Sequence, residues 1–335
     1  MTVHVLPPYR DIDDKKVSRQ NWVRIAALVY SLLMLSSCAL NPPPFPEGDQ
    51  SLSETASLVR EVKAFGKTLG IETTEALSRT AQQGPALSML WLWLQRDGTL
   101  ALHAPIDVWL AVGFNTSNGR VPLEQVYRVD GYSVYYRQGN EFADERSVAT
   151  VGFAAEGMVR RVMVVLHEDL HGDANFALPW NIEESLVTPL GSLAAVEFFR
   201  FKNDLENLKS AVAALELQRQ YSRELNALAA QAEGIFRLEA PAEAKEKILQ
   251  LIPNYPTYNR YFQRQITGQH PPTVLEAKLS HDLVYYRYFD KIARLSERAP
   301  DLKTLISDLK KVPHEALQDD VESYLRELDS RYGPQ

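Results

Sequence analysis

The pentapeptide HEDLH at 167–171 constrains the fold of this chain more than any other segment. The apolar stretch 158–166 precedes it and Gly172 follows it, which predicts a buried helix that ends in a left-handed glycine. Residues four apart lie on one face of a helix, so His167 and His171 can present two imidazoles to one metal ion. The rest of the fold must then bring a third ligand to this face.

Glu168 lies between the two histidines, one step around the helix, where its carboxylate can reach a metal-bound water and act as general base. This H-E-x-x-H pattern is typical of zinc peptidases, although it also arises by chance, and two such histidines can make ordinary contacts on a helix face. The chain has only seven histidines. Because two of them fall on one face of an apolar helix, where unpaired imidazoles cost free energy, the pattern favours a metal site.

A second helix is expected to carry the third ligand, which leaves the fourth position of a zinc ion for water. The loop 172–179 is long enough to reverse the chain, and 180–187 has the pattern of a helix start. Glu184, which is followed by the small Ser185, is therefore predicted to be the third ligand. The predicted ligands of Zn²⁺ are His167, His171 and Glu184.

Other roles and other ligands stay open at this stage. Asn181 and Glu184 match a capping box, in which the glutamate would bond to the backbone. Glu183 and Glu197 are alternative carboxylate ligands, whereas the next histidine, His270, does not have the short spacing of three-histidine sites. With Glu184 as the ligand, Glu184→Ala should remove most of the bound zinc and Glu183→Ala should remove little.

The N-terminus has the pattern of a bacterial lipoprotein signal. A basic region precedes the apolar run 25–34, which is too short to span a membrane comfortably. The tetrapeptide LSSC at 35–38 follows at once and matches a lipobox. Cys38 is the only cysteine in the chain, which suits a thiol set aside for lipid attachment. The alternative is a buried thiol that follows an ordinary cleavable signal.

We therefore expect residues 1–37 to be a signal peptide and residues 38–50 to be a proline-rich spacer. Acyl chains on Cys38 would anchor the protein in a lipid bilayer. Ala39, rather than aspartate, follows the cysteine, which favours the outer membrane of a Gram-negative cell envelope. The chain is net acidic, with a formal charge of −7, and has no basic stripe, which excludes nucleic acid as a partner.

The remaining sequence predicts an α+β, mostly helical fold with a small N-terminal twisted sheet. Strands are expected at 89–94 and 100–103, joined across the Asp-Gly hairpin signal at 97–98. A second strand pair is expected at 132–136 and 147–153. One edge of this sheet should face the HEDLH helix and bind an extended substrate by strand addition.

Helices are expected in most other segments. They are predicted at 51–69, 203–236, 274–297, 301–311 and 321–331, with a break around Pro253 and Pro256. The long segment 203–236 should pack on the rest of the chain, and a partner-binding coiled coil is the alternative. We divide the folded chain into a zincin-like catalytic region, 51–200, and a helical C-terminal region, 201–335.

Together, these residues make the chain resemble the predicted-aminopeptidase family of bacterial lipoproteins. That family combines a lipobox cysteine, an H-E-x-x-H helix and a downstream Asn-Glu-Ser-Phe-Ala-Thr motif, for which this chain has EESLVT at 183–188. A later Asn-Asn-Ala-Lys-Leu…Tyr motif corresponds to 275–279 and Tyr285. The similarity covers roughly residues 162–309. The chain differs from the family motifs at three positions where the family has asparagine. Asp169 would also add a carboxylate beside the helix face that binds zinc.

The resemblance implies a zincin-like core that hydrolyses peptide bonds by attack of zinc-bound water, with Glu168 as the general base. The substrates would be peptides or proteins in the cell envelope. A donor must also stabilise the tetrahedral oxyanion. The family tyrosine makes Tyr285 the first candidate, and His281, one helical turn earlier, is the second. Ordinary helix packing is the alternative role for Tyr285.

A different class of function also fits these residues. In this alternative the protein is a non-enzymatic envelope lipoprotein, a helical interaction module whose HEDLH motif holds a structural or vestigial metal. The long helix predicted at 203–236 favours this alternative. A structural site would lose fold stability on chelation and would show no hydrolysis that depends on Glu168.

The predicted lipid anchor has a direct test. Cys38→Ser removes the only thiol that can accept diacylglycerol, so the variant should lose acyl labelling and leave the detergent phase in a phase-partition assay. The wild-type chain is the control. Unchanged labelling and partitioning of the variant would contradict lipid attachment at Cys38.

Overall fold

Helices dominate the computed structural model, which describes residues 50–80, 89–100, 108–113, 131–139, 148–173, 176, 178–313, 315 and 318–333. The expected mostly helical fold with a small sheet is confirmed. Residues 1–49, which include the predicted signal peptide and Cys38, lie outside the described ranges. No helix within those ranges is both long enough and apolar enough to cross a membrane.

The helices follow most of the predicted segments. In chain order they are α1 (Gln50–Thr68), α2 (Val151–Ala154), α3 (Met158–His171), α4 (Trp180–Phe201), α5 (Leu205–Leu238), α6 (Pro241–Leu251), α7 (Pro256–Gln265), α8 (Pro271–Tyr286), α9 (Phe289–Arg298), α10 (Leu302–Leu309) and α11 (Gln318–Tyr332). The predicted proline break is confirmed, because a 3₁₀ turn at Ile252–Asn254 separates α6 from α7.

The main sheet has three antiparallel strands, with β2 (Met89–Arg96) between β3 (Val108–Gly113) and β4 (Tyr132–Gly139). The described strands are β1 (Arg79–Thr80), β2 (Met89–Arg96), β3 (Val108–Gly113), β4 (Tyr132–Gly139) and β5 (Val148–Ala149). The strand predicted at 89–94 is confirmed, but its partner begins at Val108, so the tight hairpin is wrong. Asp97 and Gly98 do form a turn, and the Gly98 N–H donates to Glu276 of α8 at 3.0 Å. The turn is therefore tied to α8, and residues 101–103 of the predicted returning strand lie outside the described ranges.

The second predicted strand pair is also wrong. β4 confirms a strand at 132–136, but it pairs with β2, and residues 148–149 instead pair in parallel with β1. Residues 151–154 form the helical turn α2. Thr150 explains this difference, because its hydroxyl accepts the backbone N–H of Phe153 at 3.1 Å and so caps a helix start.

Strand β4 packs on α8, and the side chain of Gln269 already occupies its outer edge at Tyr136. The Ser133 hydroxyl donates to the Thr273 carbonyl at 3.1 Å and accepts the Ala277 N–H at 3.1 Å. The side-chain amide of Gln269 accepts the N–H of Tyr136 at 3.0 Å and donates to its carbonyl at 3.2 Å. An extended peptide cannot pair with Tyr136 unless Gln269 moves, which removes this position from the predicted strand-addition edge.

The HEDLH helix α3 has the predicted bounds, but its last cap differs from the prediction. Gly172 follows the helix with φ −82° and ψ −4°, which is right-handed. Glycine is required here for space, because a Cβ at Gly172 would lie 2.1 Å from Cγ2 of Thr74. The loop after α1 therefore packs directly on the end of α3.

Helix α4 is surrounded by other elements along most of its length. Every residue from 184 to 196 is buried, and α4 contacts α3, α5, α8 and α9. Asn203, at φ 54°, then turns the chain, and the Asp204 side chain caps α5 by accepting the N–H of Asn207 at 3.1 Å. The tight turn holds α5 beside α4.

Helix α5 packs on the chain through its second half, which confirms the expected arrangement. Leu225, Leu228 and Ala232 are fully buried. Leu205 and Val212 in its first half and Leu238 at its end are exposed, so the alternative of a partner-binding helix stays a prediction.

The segment predicted as one helix at 274–297 is two helices, α8 and α9. Side chains of α5 explain the break. Ser222 donates to the Tyr286 carbonyl at 2.6 Å, and Asn226 donates to the Arg287 carbonyl at 3.1 Å. These carbonyls therefore bond outside their own helix, and α9 starts afresh at Phe289.

Space at the C-terminal end of α3 generates a stability prediction. Gly172→Ala should lower the free energy of unfolding by about 1–3 kcal/mol, because the new methyl group must displace Thr74. Gly157→Ala at the other end of the same helix is the matched control, since a Cβ there meets nothing within 4 Å. Urea unfolding of both variants checks this, and equal stabilities would contradict the predicted clash.

Candidate metal centre

Helix α4 packs closely on the HEDLH helix α3 because a glycine lies at the contact. A Cβ at Gly191 would lie 3.0 Å from the Cβ of His167 and 3.2 Å from the carbonyl oxygen of Met163. Gly191 and Glu184 are seven residues apart, so they share one face of α4. The same close contact therefore aims Glu184 at the histidines of α3.

Three side chains converge between α3 and α4. The Nε2 atoms of His167 and His171 are 3.0 Å apart, and Oε2 of Glu184 lies 3.5 Å from the first and 3.3 Å from the second. The three side chains are 15%, 7% and 9% exposed, respectively. These atoms form a group that can hold a metal ion.

The spacing of the three atoms fits zinc. Ligand atoms 2.0–2.2 Å from a tetrahedral ion lie roughly 3.3–3.6 Å from one another. Two of the observed distances fall in this range, and the distance between the two histidines is slightly shorter. Two imidazole nitrogens and a carboxylate oxygen also repel one another at this separation unless a proton or a cation lies between them.

Glu183 holds His171 from the other side of its ring. Its Oε1 is 2.8 Å from Nδ1 of His171, and a carboxylate accepts, so Nδ1–H is the donor and Nε2 is the nitrogen available to a metal ion. A carboxylate in this position fixes the tautomer and orientation of a metal-binding histidine. Unlike the expectation drawn from the sequence, Glu183→Ala is therefore predicted to weaken metal binding, and Glu184 stays the predicted ligand.

Negative charge around His171 favours a cation at this site. Burial alone lowers the pKa of its imidazole, but the charge of Glu184, the hydrogen bonds to Glu183 and Glu184, and the charge of Glu168 raise that pKa well above its usual value. Three carboxylates thus act on one side chain. A divalent cation satisfies the same negative potential as a proton does.

Glu168 is buried beside the three converging side chains. Its side chain is 7% exposed, and its charge contributes to the raised pKa of His171, which places the carboxylate near that imidazole. The three ligand atoms come from His167, His171 and Glu184. Glu168 therefore lies near His171 but is not one of the three converging ligands.

Asp169 does not lie beside the zinc face, contrary to expectation. It is 1% exposed and pairs with Lys63 of α1. Its Oδ1 also accepts from the Thr74 hydroxyl at 2.7 Å. Residues two apart on a helix point to nearly opposite sides, so Asp169 faces α1 while the histidines face α4.

The predicted oxyanion donors lie on α8, which contacts α4 next to Glu184. Ser185 donates through its hydroxyl to the carbonyl oxygen of Val284 at 2.5 Å. Glu184 and Tyr285 are therefore each one residue away from a direct contact between the two helices. This contact brings α8 to the side of the candidate metal centre.

His281 belongs to a buried network on the same helix. Its Nδ1 is 3.0 Å from Oδ1 of Asp282, and its ring centroid lies 5.1 Å from those of Trp93, Tyr135 and Tyr285. Burial raises the pKa of Asp282, but Lys278 and His281 outweigh this and lower it to about 2. Ring packing thus accounts for much of the position of Tyr285, and its catalytic role stays a prediction.

The other sequence candidates lie elsewhere. Glu197 is 13 residues after Glu184 on α4, about 20 Å along the axis, and pairs with Arg200. Pro179, not Asn181, is the N-cap of α4, so the capping-box alternative is wrong. His270 precedes α8 as its N-cap.

Two supporting residues were missed by reasoning from the sequence. Gly191 had a usable signal, because a glycine seven residues after Glu184 on an apolar helix indicates a close helix contact on the same face. Lys63 had none, since it is more than one hundred residues from its partner Asp169.

Comparison of the chain with protein-family models, with curated proteins and with solved structures finds no match. The resemblance to the predicted-aminopeptidase family therefore stays a prediction.

Substitutions on α4 test the assignment of the ligands. Glu184→Ala should abolish zinc binding, and Glu183→Ala should weaken it about 10–100-fold, because His171 loses the group that orients it. Glu197→Ala, on the same helix but remote from the site, is the control. Zinc content and competition with a chromophoric chelator measure the effects. Equal zinc affinity of Glu184→Ala and the control would contradict the assignment.

Proposed function

We propose that this protein is a zinc-dependent peptidase whose metal is held by His167, His171 and Glu184. The observation that carries this proposal is the convergence of two imidazole nitrogens and one carboxylate oxygen within 3.5 Å, between two buried helices. Glu168, adjacent on α3, supplies the carboxylate that hydrolysis needs in addition to the ligands. A purely structural zinc site uses four protein ligands, whereas three leave a position for water.

Each residue of the site has its own role in the proposed hydrolysis. Zinc, when bound, would lower the pKa of a coordinated water and polarise the carbonyl of the substrate. Glu168 accepts a proton from the attacking water and delivers it to the departing amine, so the cleaved bond yields a carboxylate and an amine. Glu183 keeps the ring of His171 fixed through both proton transfers.

A hydrogen-bond donor completes the proposed mechanism. The tetrahedral species carries negative charge on the former carbonyl oxygen, and a donor aimed at that oxygen stabilises it. Tyr285 is the proposed donor, and His281 is the second candidate. The support is the contact of α8 with α4 at Ser185, next to Glu184.

The proposal includes the setting of the enzyme. Lipid on Cys38 would tether a zincin-like core to the cell envelope, where peptides or proteins are the substrates. The spacer up to residue 50 would separate α1 from the bilayer. The sequence pattern of the first 38 residues is the support for this part of the proposal.

An interaction module with a structural or vestigial metal site is the second candidate function. The observation that favours it is a group of exposed apolar side chains where α4 ends and α5 begins. Phe201 is 70% exposed, Leu205 is 71% exposed and Val212 is 46% exposed. Side chains of this kind mark protein contacts when they form a continuous patch.

Glu168→Gln separates the two candidate functions. The variant keeps the shape of the side chain but cannot accept a proton, so it should bind zinc like the wild type and lose about 10²–10⁴-fold of the peptidase activity. Digestion of a peptide library by the variant, the wild type and the Glu197→Gln control measures this. Chelation that unfolds the protein, without any hydrolysis that depends on Glu168, would favour the interaction module instead.

A further inference from the structure

The end of the HEDLH helix is held from the side opposite the candidate ligands. Asp169 of α3 forms a buried ion pair with Lys63 of α1. Its Oδ1 also accepts the backbone N–H of Thr74 at 3.2 Å and the Thr74 hydroxyl at 2.7 Å. Lys63 donates to the Thr74 carbonyl oxygen at 3.1 Å, so each of the three residues contacts the other two. We call Lys63, Thr74 and Asp169 the clamp.

The residues after α3 strengthen the same attachment. Asp173 is 1% exposed, pairs with Lys310 and accepts the backbone N–H of Glu72 at 3.3 Å. Lys310 also donates to the carbonyl oxygen of Gly70 at 2.7 Å. The loop between α1 and β1 thus bonds to Asp169 before Gly172 and to Asp173 after it.

The clamp restricts rotation of α3 about its own axis. Asp169 lies two residues from His167 and two from His171, so any rotation that moved the imidazoles would pull its carboxylate away from Lys63 and Thr74. A buried carboxylate that loses its partners is strongly disfavoured. The contact at Gly191 lets α3 and α4 lie close together. Because glycine has no side chain, this contact does not by itself stop α3 from rotating.

Stability alone does not account for an ion pair in this place. A buried ion pair often contributes no more to stability than a well-packed apolar pair of similar size, whereas it does specify one arrangement. The arrangement specified here is the one in which both histidines reach Glu184.

We propose that Lys63, Thr74 and Asp169 are positioning residues that set the rotation of α3 and thereby the affinity of the site for its metal. The proposal rests on the metal site proposed above, and it does not depend on which bond is hydrolysed. The clamp does not touch the metal position, since Asp169 faces away from it. It acts on metal affinity only by orienting the ligands on α3.

Lys63→Met tests the clamp, because methionine keeps much of the length of lysine and removes the charge. Zinc affinity should fall about 10–100-fold, as for other residues that orient metal ligands, and the absorption bands of the cobalt-substituted protein should shift. Lys63→Arg should recover most of the affinity. Lys245→Met is the matched control, since it removes a lysine that pairs with Asp97 on another part of the chain. Both measurements are made at a temperature where each variant is folded.

The outcomes separate the clamp from the metal site. Wild-type affinity and an unshifted cobalt spectrum in Lys63→Met would overturn the clamp and leave the proposed site in place. Failure of the wild type to bind zinc would overturn both. If Lys63→Met does not fold, Lys63→Met with Asp169→Leu replaces both charges by apolar groups. Weakened zinc binding in a stable double variant supports the clamp, and wild-type binding overturns it.

Discussion

The contact between α3 and α4 is the constraint on which the rest of the structure depends. Two helices can bring ligands from both sides to one point only if their backbones lie close, and Gly191 permits this at His167. The elements around the pair keep it in place. α5, α8 and α9 surround α4, while α1 and its following loop hold α3 from the far side. Most of the hydrophobic core formed by these helices is thus also the support of the candidate site.

Electrostatics makes this arrangement costly without a cation. Glu168, Glu183 and Glu184 all act on the buried imidazole of His171, and carboxylates brought together inside a protein repel one another. Without a metal ion, protonation of His171 offsets part of this repulsion. A divalent ion bound here would attract all three carboxylates, and the Glu183–His171 hydrogen bond would then orient a ligand instead of neutralising a charge.

The sheet and α8 form a second buried unit beside the candidate metal centre. Trp93 and Tyr135 pack on His281, and Asp282 accepts from Tyr221 at 2.8 Å and from Tyr258 at 3.2 Å. This unit has its own hydrophobic core. The second unit contacts α4 through Ser185, whose hydroxyl donates to the Val284 carbonyl of α8. Tyr285 packs on this second core, one residue from the contact with Ser185. Its proposed role therefore depends on how the two cores meet.

The sequence by itself determined the local features of this protein. A helical period places His167 and His171 on one face, and the loop to Glu184 has the length that a reversal needs, so the spacing favours Glu184 as the third ligand but leaves Glu183 open. The tertiary structure decided the rest. It paired β2 with β3 across a long connection, divided α8 from α9 through Ser222 and Asn226, and gave Glu183 the second nitrogen of His171. It also turned Asp169 towards Lys63. These outcomes depend on residues distant in sequence, whose contact is set by the packing of whole helices and leaves no periodic signal in the chain.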